Sequence, residues 1–222
     1  MDNPSDTVLL HTAICAAGVT NSQDRRAKSD ILPAIPSMQN VCGMEVIMNE
    51  TLKVLERRRS CRNFKPDMIE QEKLDAILRA GTYAASGMGK QSPIILAITN
   101  KELRDQVVEE NRKIGGWEEG FDPFYGAPVI LIVLADKGVR TYRYDGSLVM
   151  GNLMNAAESV GVNSIWIHRA KEEFESAFGK KILADLGIEG DYEGIGHCAL
   201  GYAAAPVGEA APRKENYIYY IK

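Results

Sequence analysis

Arg57-Arg58-Arg59-Ser60-Cys61-Arg62-Asn63-Phe64 is the stretch on which the reading of this chain turns. It follows an amphipathic run over residues 45–56 and precedes Pro66, so it reads as a helix end. Arginine presents a planar fork of donors that matches a phosphate bidentately, and a serine hydroxyl adds one more donor. The cluster is therefore chemically suited to a phosphate monoester. Taken alone, the same residues suit a solvated basic face, or cations placed at the negative end of a helix dipole, and composition by itself favours that reading. The remainder of the chain has to decide.

Working outward, the chain alternates helices and strands. Residues 45–58 form a helix with Val46, Ile47, Leu52 and Leu55 on one face. Asp67-Met68-Ile69-Glu70 resembles a capped start for a helix over 70–81, with Leu74, Ile77 and Leu78 as its stripe and Gly81 as its stop. Ser86-Gly87-Met88-Gly89-Lys90 is a loop. Residues 94–99 are apolar throughout and predict a buried strand. A helix follows over 101–113, then a glycine- and aromatic-bearing loop over 115–125. Residues 129–135 predict a second buried strand, 148–160 an apolar helix, 164–168 a short strand, 172–186 a helix and 192–202 a strand. Strands separated by helices mean an α/β or α+β sheet covered on both faces. The chain ends in an extended tail, Tyr217-Ile218-Tyr219-Tyr220-Ile221, which is β-prone and aromatic. Such a terminus needs another sheet edge, and a second subunit could supply one.

Residues 1–43 read differently, with Pro4, Pro33 and Pro36, many Ser, Asn and Asp, and no periodicity. They are expected to be a poorly ordered extension preceding a domain over 44–222; the alternative is a docking arm. The apolar stretch at 7–19 is broken by His11 and lacks the basic region of a secretory signal. No transmembrane run is present, and the expected location is the cytoplasm.

Composition narrows the function. A net charge of −4 argues against general nucleic-acid binding. The four cysteines are scattered without C-x-x-C, and the three histidines have no metal-ligand spacing, so neither a disulfide framework nor a metal site is expected. Gly194-Ile195-Gly196 lacks the third glycine of a dinucleotide-binding loop.

The order of the pieces resembles the FMN-dependent nitroreductase family, over residue 46 to the C-terminus. Arg58-Arg59-Ser60-Cys61-Arg62-Asn63-Phe64 is similar to the family's R-R-S-x-R-x-F. Ala84-Ala85-Ser86-Gly87-Met88-Gly89-Lys90-Gln91-Ser92-Pro93 stands where A-P-S-x-x-N-x-Q-P-W is usual. Gly126-Ala127-Pro128-Val129-Ile130-Leu131 matches G-A-P-V-x-I. Asp145 to Gly161, with Asn152-Leu153 and Ala156-Ala157, matches the family's central helix. Gly201-Tyr202 and Pro212-Arg213 complete the set. Each fragment is weak alone; five in order are specific. The usual Asn of the second motif is Gly89, so a side-chain contact to flavin is lost there, and Lys90 or Gln91 are candidate substitutes.

The resemblance implies an α+β fold of the three-layer sandwich type, with a central mixed, mostly antiparallel sheet flanked by helices. It implies an intertwined homodimer with an exchanged C-terminal tail and FMN at the dimer interface. The phosphate is expected at Arg58, Arg59, Ser60 and Arg62, with Arg213 and Lys214 arriving from the tail. Ala85, Ser86, Gly87 and Gln91 are expected near the ring, from the second subunit. Trp166, Ile167, His168 and Arg169 are expected beside it, with the backbone amides of His168 and Arg169 facing N5 and O2. Met88, Phe124 and Tyr125 are expected to shape the acceptor pocket, although both aromatics also suit anchoring of their loop to the core. NAD(P)H is the implied reductant and a small-molecule electron acceptor, such as a nitroarene or quinone, the second substrate, in a ping-pong cycle. Reductive dehalogenation, enoate-type reduction and flavin binding with little turnover stay open on the same residues.

Overall fold

The computed structural model describes residues 48–222. The expectations for residues 1–43, and for Val46 and Ile47, lie outside the described residues. Residues up to Pro212 form one compact unit, and Arg213–Lys222 is grouped apart from it.

The sheet is built on β2 (Val129–Asp136), whose apolar run is buried almost end to end. It pairs antiparallel with β1 (Pro93–Ile98) on one side and β4 (Tyr192–Gly201) on the other; β4 then pairs antiparallel with β3 (Asn163–Ile167). The order is β1-β2-β4-β3. Among the described residues, the parallel contribution is a bridge between Ser60 and Ser164. Alternation along β2 feeds two cores. Ile130, Ile132 and Leu134 face one side, with Val107, Phe174 and Ile182. Val129, Leu131 and Val133 face the other, with Leu74, Ile77, Met150 and Leu153. The helices therefore form a layer on each side: α2 (Gln71–Thr82) and α4 (Tyr142–Ser159) on one, α3 (Lys101–Gly115), α5 (Ala170–Glu175) and α6 (Ala177–Asp185) on the other. The fold is α+β, as the motif order implies.

Several local expectations are corrected. Helix α1 (Glu50–Arg57) starts behind Asn49, whose side chain accepts from Leu52 N at 3.0 Å. It packs on α4 and buries Val54, whereas Leu52 and Leu55 are exposed. The strand at β1 is an edge with only Ile98 fully buried, because no described strand covers its outer side. Gly81 does not stop α2. It lies inside the helix, where a Cβ would come within 2.7 Å of Leu153 and 2.9 Å of Ile95, so its role is close approach. The start of α2 is closed by the Glu70 carbonyl, which accepts from Lys73 and Leu74, and not by a side-chain cap. Helix α4 begins six residues before the expected 148, because its polar first turns hide the apolar period. The helix expected over 172–186 is two helices: Ser176 is extended at ψ 167, and its hydroxyl accepts from Phe178 N at 3.2 Å to open α6.

Candidate functional site

The arginines at the end of α1 have different fates. Arg57 reaches Glu158 of α4 at 2.6 Å and fastens the helix. Arg59 turns one guanidinium nitrogen onto the carbonyls of Glu56 and Arg58, both at 2.7 Å. Arg58 is half-buried, with Nη1 enclosed and without an acceptor among the described residues; Arg59 Nε is in the same position. Arg62 is exposed. A buried guanidinium nitrogen without a partner is costly unless an anion meets it. The Arg58 charge acts on Cys198, whose thiol burial pushes up to about 12 while the cation works against that rise. Ser60 bridges to Ser164, and Cys61 N donates to the Ser164 carbonyl at 3.0 Å. The cluster is thus sewn onto the outer edge of β3.

The same strand leads directly into the second group of expected site residues. Ile167 is buried, Trp166 and Arg169 half-buried, and His168 exposed. Trp166 lies against Gly196, where a Cβ would stand 2.5 Å from the indole nitrogen. Arg169 adopts φ +79, a left-handed conformation unusual for a side-chain-bearing residue. Its guanidinium sits 4.2 Å from the centroid of the Trp117 ring, a cation–π contact. Behind this turn lie three polar residues that periodicity gave no reason to single out. Asn111 Nδ2 donates to the His168 carbonyl at 2.9 Å, His197 Nδ1 lies 3.3 Å from the Ile167 carbonyl, and Glu173 Oε2 lies 2.6 Å from His197 Nε2.

The third group is the loop after α2. Asp145, buried on the first turn of α4, accepts from Gly87 N at 3.0 Å, from Ser92 Oγ at 2.9 Å and from Thr141 Oγ1 at 3.0 Å. Ser86 Oγ accepts from Gln91 N at 3.0 Å, closing the loop on itself. Gly87 passes so close to Thr141 that a Cβ would stand 3.0 Å from its Cβ. Met88, Gly89 and Gln91 all have positive φ, at 53, 66 and 50°, so the turn is preformed. Met88 is 91% exposed, and no atom would touch a Cβ at Gly89. Ala85, Ser86 and Gln91 border a cleft of about 480 Å³ against Ile94 and Ile95. Among the described residues, no hydrogen bond or ion pair joins this loop to the arginine cluster or to the β3 turn.

Phe124 is a correction. It is fully buried and packs edge-on against His197, 5.2 Å between centroids, so it anchors the core and does not line a pocket. Tyr125 is half-buried at φ +57, in a turn held by Asp122, which accepts from Phe124 N at 2.7 Å and Gly126 N at 3.0 Å. Arg213 and Lys214 lie in the separate unit, where the Lys214 ammonium is 5.1 Å from the Tyr217 ring centroid.

Beside the β3 turn, Arg143, Trp166, His168, Arg169 and Glu193 line an open cavity of about 500 Å³. Arg143 meets Glu193 through two nitrogens, at 2.6 and 2.9 Å, and the bond holds the Glu193 carboxyl below the usual carboxylate range against the opposing effect of burial. A carboxyl whose folded pKa is depressed stabilises the fold above its unfolded value, and that contribution disappears as pH falls through the folded value. The parent chain is therefore expected to lose urea resistance below about pH 4.5 more steeply than Glu193→Gln, which lacks the titrating group. Identical acid limbs in urea titrations would show that the pair contributes nothing; the exposure of Arg143 keeps the effect modest.

The model of the nitroreductase family matches residues 55–202, more than half of the chain. This chain belongs to the nitroreductase family. Among solved structures, a nitroreductase with bound FMN from Desulfitobacterium hafniense DCB-2 is 30% identical, with a TM-score of 0.72 and a match covering 79% of this chain and 100% of that one. A nitroreductase with bound FMN from Bacteroides fragilis NCTC 9343 is 26% identical, with a TM-score of 0.70 and the same coverage, 79% and 100%. Among curated proteins, "FMN reductase [NAD(P)H]" of Bacillus subtilis (strain 168) is 26% identical over 140 residues, 53% of each chain. The match thus spans about half the length of that relative. Within this nitroreductase-family chain, the described residues contain no group of side chains able to hold a metal ion, and no helix long and apolar enough to cross a membrane.

Proposed function

We propose that this chain is an FMN-dependent oxidoreductase that passes electrons from NAD(P)H to a nitroaromatic, quinone or related small acceptor, the two substrates taking turns in a ping-pong cycle. The observation that carries the reading is the sharing of one strand edge. The arginine–serine cluster is fastened to β3 at Ser164, and β3 runs on into the Trp166–Arg169 turn. The residues fit the cofactor: Arg58 and Arg59 hold buried nitrogens that lack acceptors among the described residues, and Arg62 is open.

Arg58, Ser60 and Arg62 would hold the phosphate, with Arg59 orienting the segment through its main-chain bonds. Bound FMN supplies the chemistry, accepting a hydride from the nicotinamide and returning two electrons to the second substrate. The amides of His168 and Arg169 would meet the N5 and O2 edge and stabilise negative charge there, as donors in an oxyanion hole do. That role requires the backbone and leaves the His168 imidazole without a required proton to move. Trp166 and Ile167 would floor the site, and Met88 and Tyr125 would border the acceptor.

The functional unit in this reading is a homodimer. Its second copy brings loop 85–87 and Gln91 to the ring, and the tail brings Arg213 and Lys214 to the phosphate. Support comes from exposed apolar surface: Leu55 on α1, the half-open edge of β1, and Tyr217, Tyr219 and Tyr220 in the tail.

The test is a spectrum of the purified chain, followed by anaerobic titration with NADH and NADPH and reoxidation by a quinone or a nitroarene. A yellow dimer that releases FMN on denaturation, bleaches with a nicotinamide and recovers with the acceptor is expected. A chain that takes up no FMN on reconstitution would refute the proposal.

A further inference from the structure

Asn111, Glu173 and His197 stand far apart in sequence, on α3, α5 and β4, yet meet in one cluster with no exposed surface. Among the described residues, Glu173 Oε1 and Asn111 Oδ1 are buried there without a donor, and His197 Nε2 without a hydrogen-bond partner. For stability alone this arrangement is a poor choice. An apolar trio of the same volume would avoid burying a carboxyl group and two unfilled acceptors. The cluster is also next to a second unfavourable feature, the left-handed Arg169, a conformation disfavoured for a residue with a Cβ. Two costly features in contact, at the turn that the flavin reading makes functional, call for a common explanation.

The explanation lies in what the cluster touches. His197 Nδ1 engages the carbonyl of Ile167 at 3.3 Å, and Asn111 Nδ2 engages the carbonyl of His168 at 2.9 Å. Carbonyls along a regular strand alternate in direction. The Ser164 carbonyl faces the outer edge, toward Cys61 N, so regular alternation already points the Ile167 carbonyl at β4, where His197 is its register partner; the His168 carbonyl, which the same alternation would send to the outer edge, turns instead to the buried cluster, and β3 accordingly ends at Ile167. A trans peptide is planar, with its N–H opposite its C=O. Drawing the Ile167 carbonyl inward turns the His168 N–H outward, and drawing the His168 carbonyl inward turns the Arg169 N–H outward. Among the described residues no loop carbonyl or side chain accepts from either N–H. Glu173 closes the cluster: its Oε2 accepts from Asn111 Nδ2 at 3.4 Å and lies 2.6 Å from His197 Nε2, a close approach without the alignment of a hydrogen bond.

We infer that Asn111, Glu173 and His197 form a positioning network that aims the two backbone amides of the β3 turn at the reacting edge of the flavin. The inference rests on the flavin reading above for what the amides meet, but not for how they are held. None of the three side chains reaches the site surface, so they are positioning residues and act through the peptide planes of 167–168 and 168–169.

The decisive variant is Asn111→Leu, which keeps the volume and removes the donor to the His168 carbonyl. Two measurements are made. In the ligand-free chain, ¹⁵N relaxation reads the order of the His168 and Arg169 amides, which is expected to fall from the rigid range near 0.85 to below about 0.6 while β2 amides stay rigid. In the FMN-loaded chain, inorganic sulfite serves as a probe of N5, because its adduct is stabilised by the same donors. Its dissociation constant is expected to rise roughly tenfold, the scale of one lost hydrogen bond, with a smaller change in FMN affinity. If Asn111→Leu does not fold, Asn111→Ser carries the same expectations. A folded variant with unchanged amide order and unchanged sulfite affinity would overturn the network. A parent chain that takes up no FMN would overturn the flavin reading alone, and the relaxation result would still decide whether the network holds the turn.

Discussion

Gly194→Ala is expected to destroy cooperative folding or to lower stability by upward of about 3 kcal/mol, because the clash is with backbone. Gly194 lies on β4 at the point where its pairing with β2 shifts register, between Val133 and Leu134. A Cβ there would collide with the carbonyl of Ala170 and stand 2.7 Å from Lys171 N. Both belong to the first turn of α5, which is fixed in turn by the Glu173–His197 pair and by Asn111 beneath the β3 turn. No rotamer change relieves contact with a main-chain atom. The helix would have to lift from the sheet, taking with it the buried Ala170 and Phe174. Urea denaturation followed by circular dichroism measures the loss. Gly208→Ala is the control: a Cβ at that exposed position meets nothing within 4 Å, and a change within about 0.5 kcal/mol is expected. A Gly194→Ala midpoint equal to that of the control would mean that α5 shifts without cost, and the close-approach account of this glycine would fail.

Arg58→Ala is expected to weaken FMN roughly a hundredfold while leaving riboflavin nearly unaffected. The buried Nη1 has no acceptor among the described residues, and a charge-assisted pair of bonds to a phosphate is worth more than a neutral hydrogen bond. Riboflavin lacks the phosphate and so reports everything else at the site. Arg58→Lys should recover part of the affinity, since an ammonium restores the charge but not the bidentate fork. Fluorescence titration of the ligand-free chain with both flavins gives the comparison. Equal losses for FMN and riboflavin would place Arg58 away from the phosphate.

The two variants bear on different layers of the protein, and the layers differ in how far they are written locally. The arginine–serine cluster was legible because its chemistry is contained in consecutive residues at a helix end. The loop after α2 was legible as a glycine-rich turn, but its anchor, Asp145, was visible only as the first residue of a motif. That its carboxylate gathers Gly87, Ser92 and Thr141 is a through-space fact. Phe124 shows the opposite limit. An aromatic in a glycine-bearing loop suits a pocket wall and a core anchor equally well, and only the packing against His197 chooses the core.

The succession of elements and the site's consecutive parts are written in the order of the residues. Helical stripes, apolar strand runs and turn residues report the conformation of a chain a few residues at a time, and those signals set β2, α3, β3 and β4 within a residue or two. Tertiary structure decided the rest: that β1 is an edge, that Gly81 sits inside α2 to admit Leu153 and Ile95, and that residues 172–186 break at Ser176. It also decided that Asn111, Glu173 and His197 meet. The reason is physical. Periodicity records which side of an element is apolar, whereas the partner of a buried polar atom is fixed by sheet order and helix placement, and these join residues that no local pattern relates.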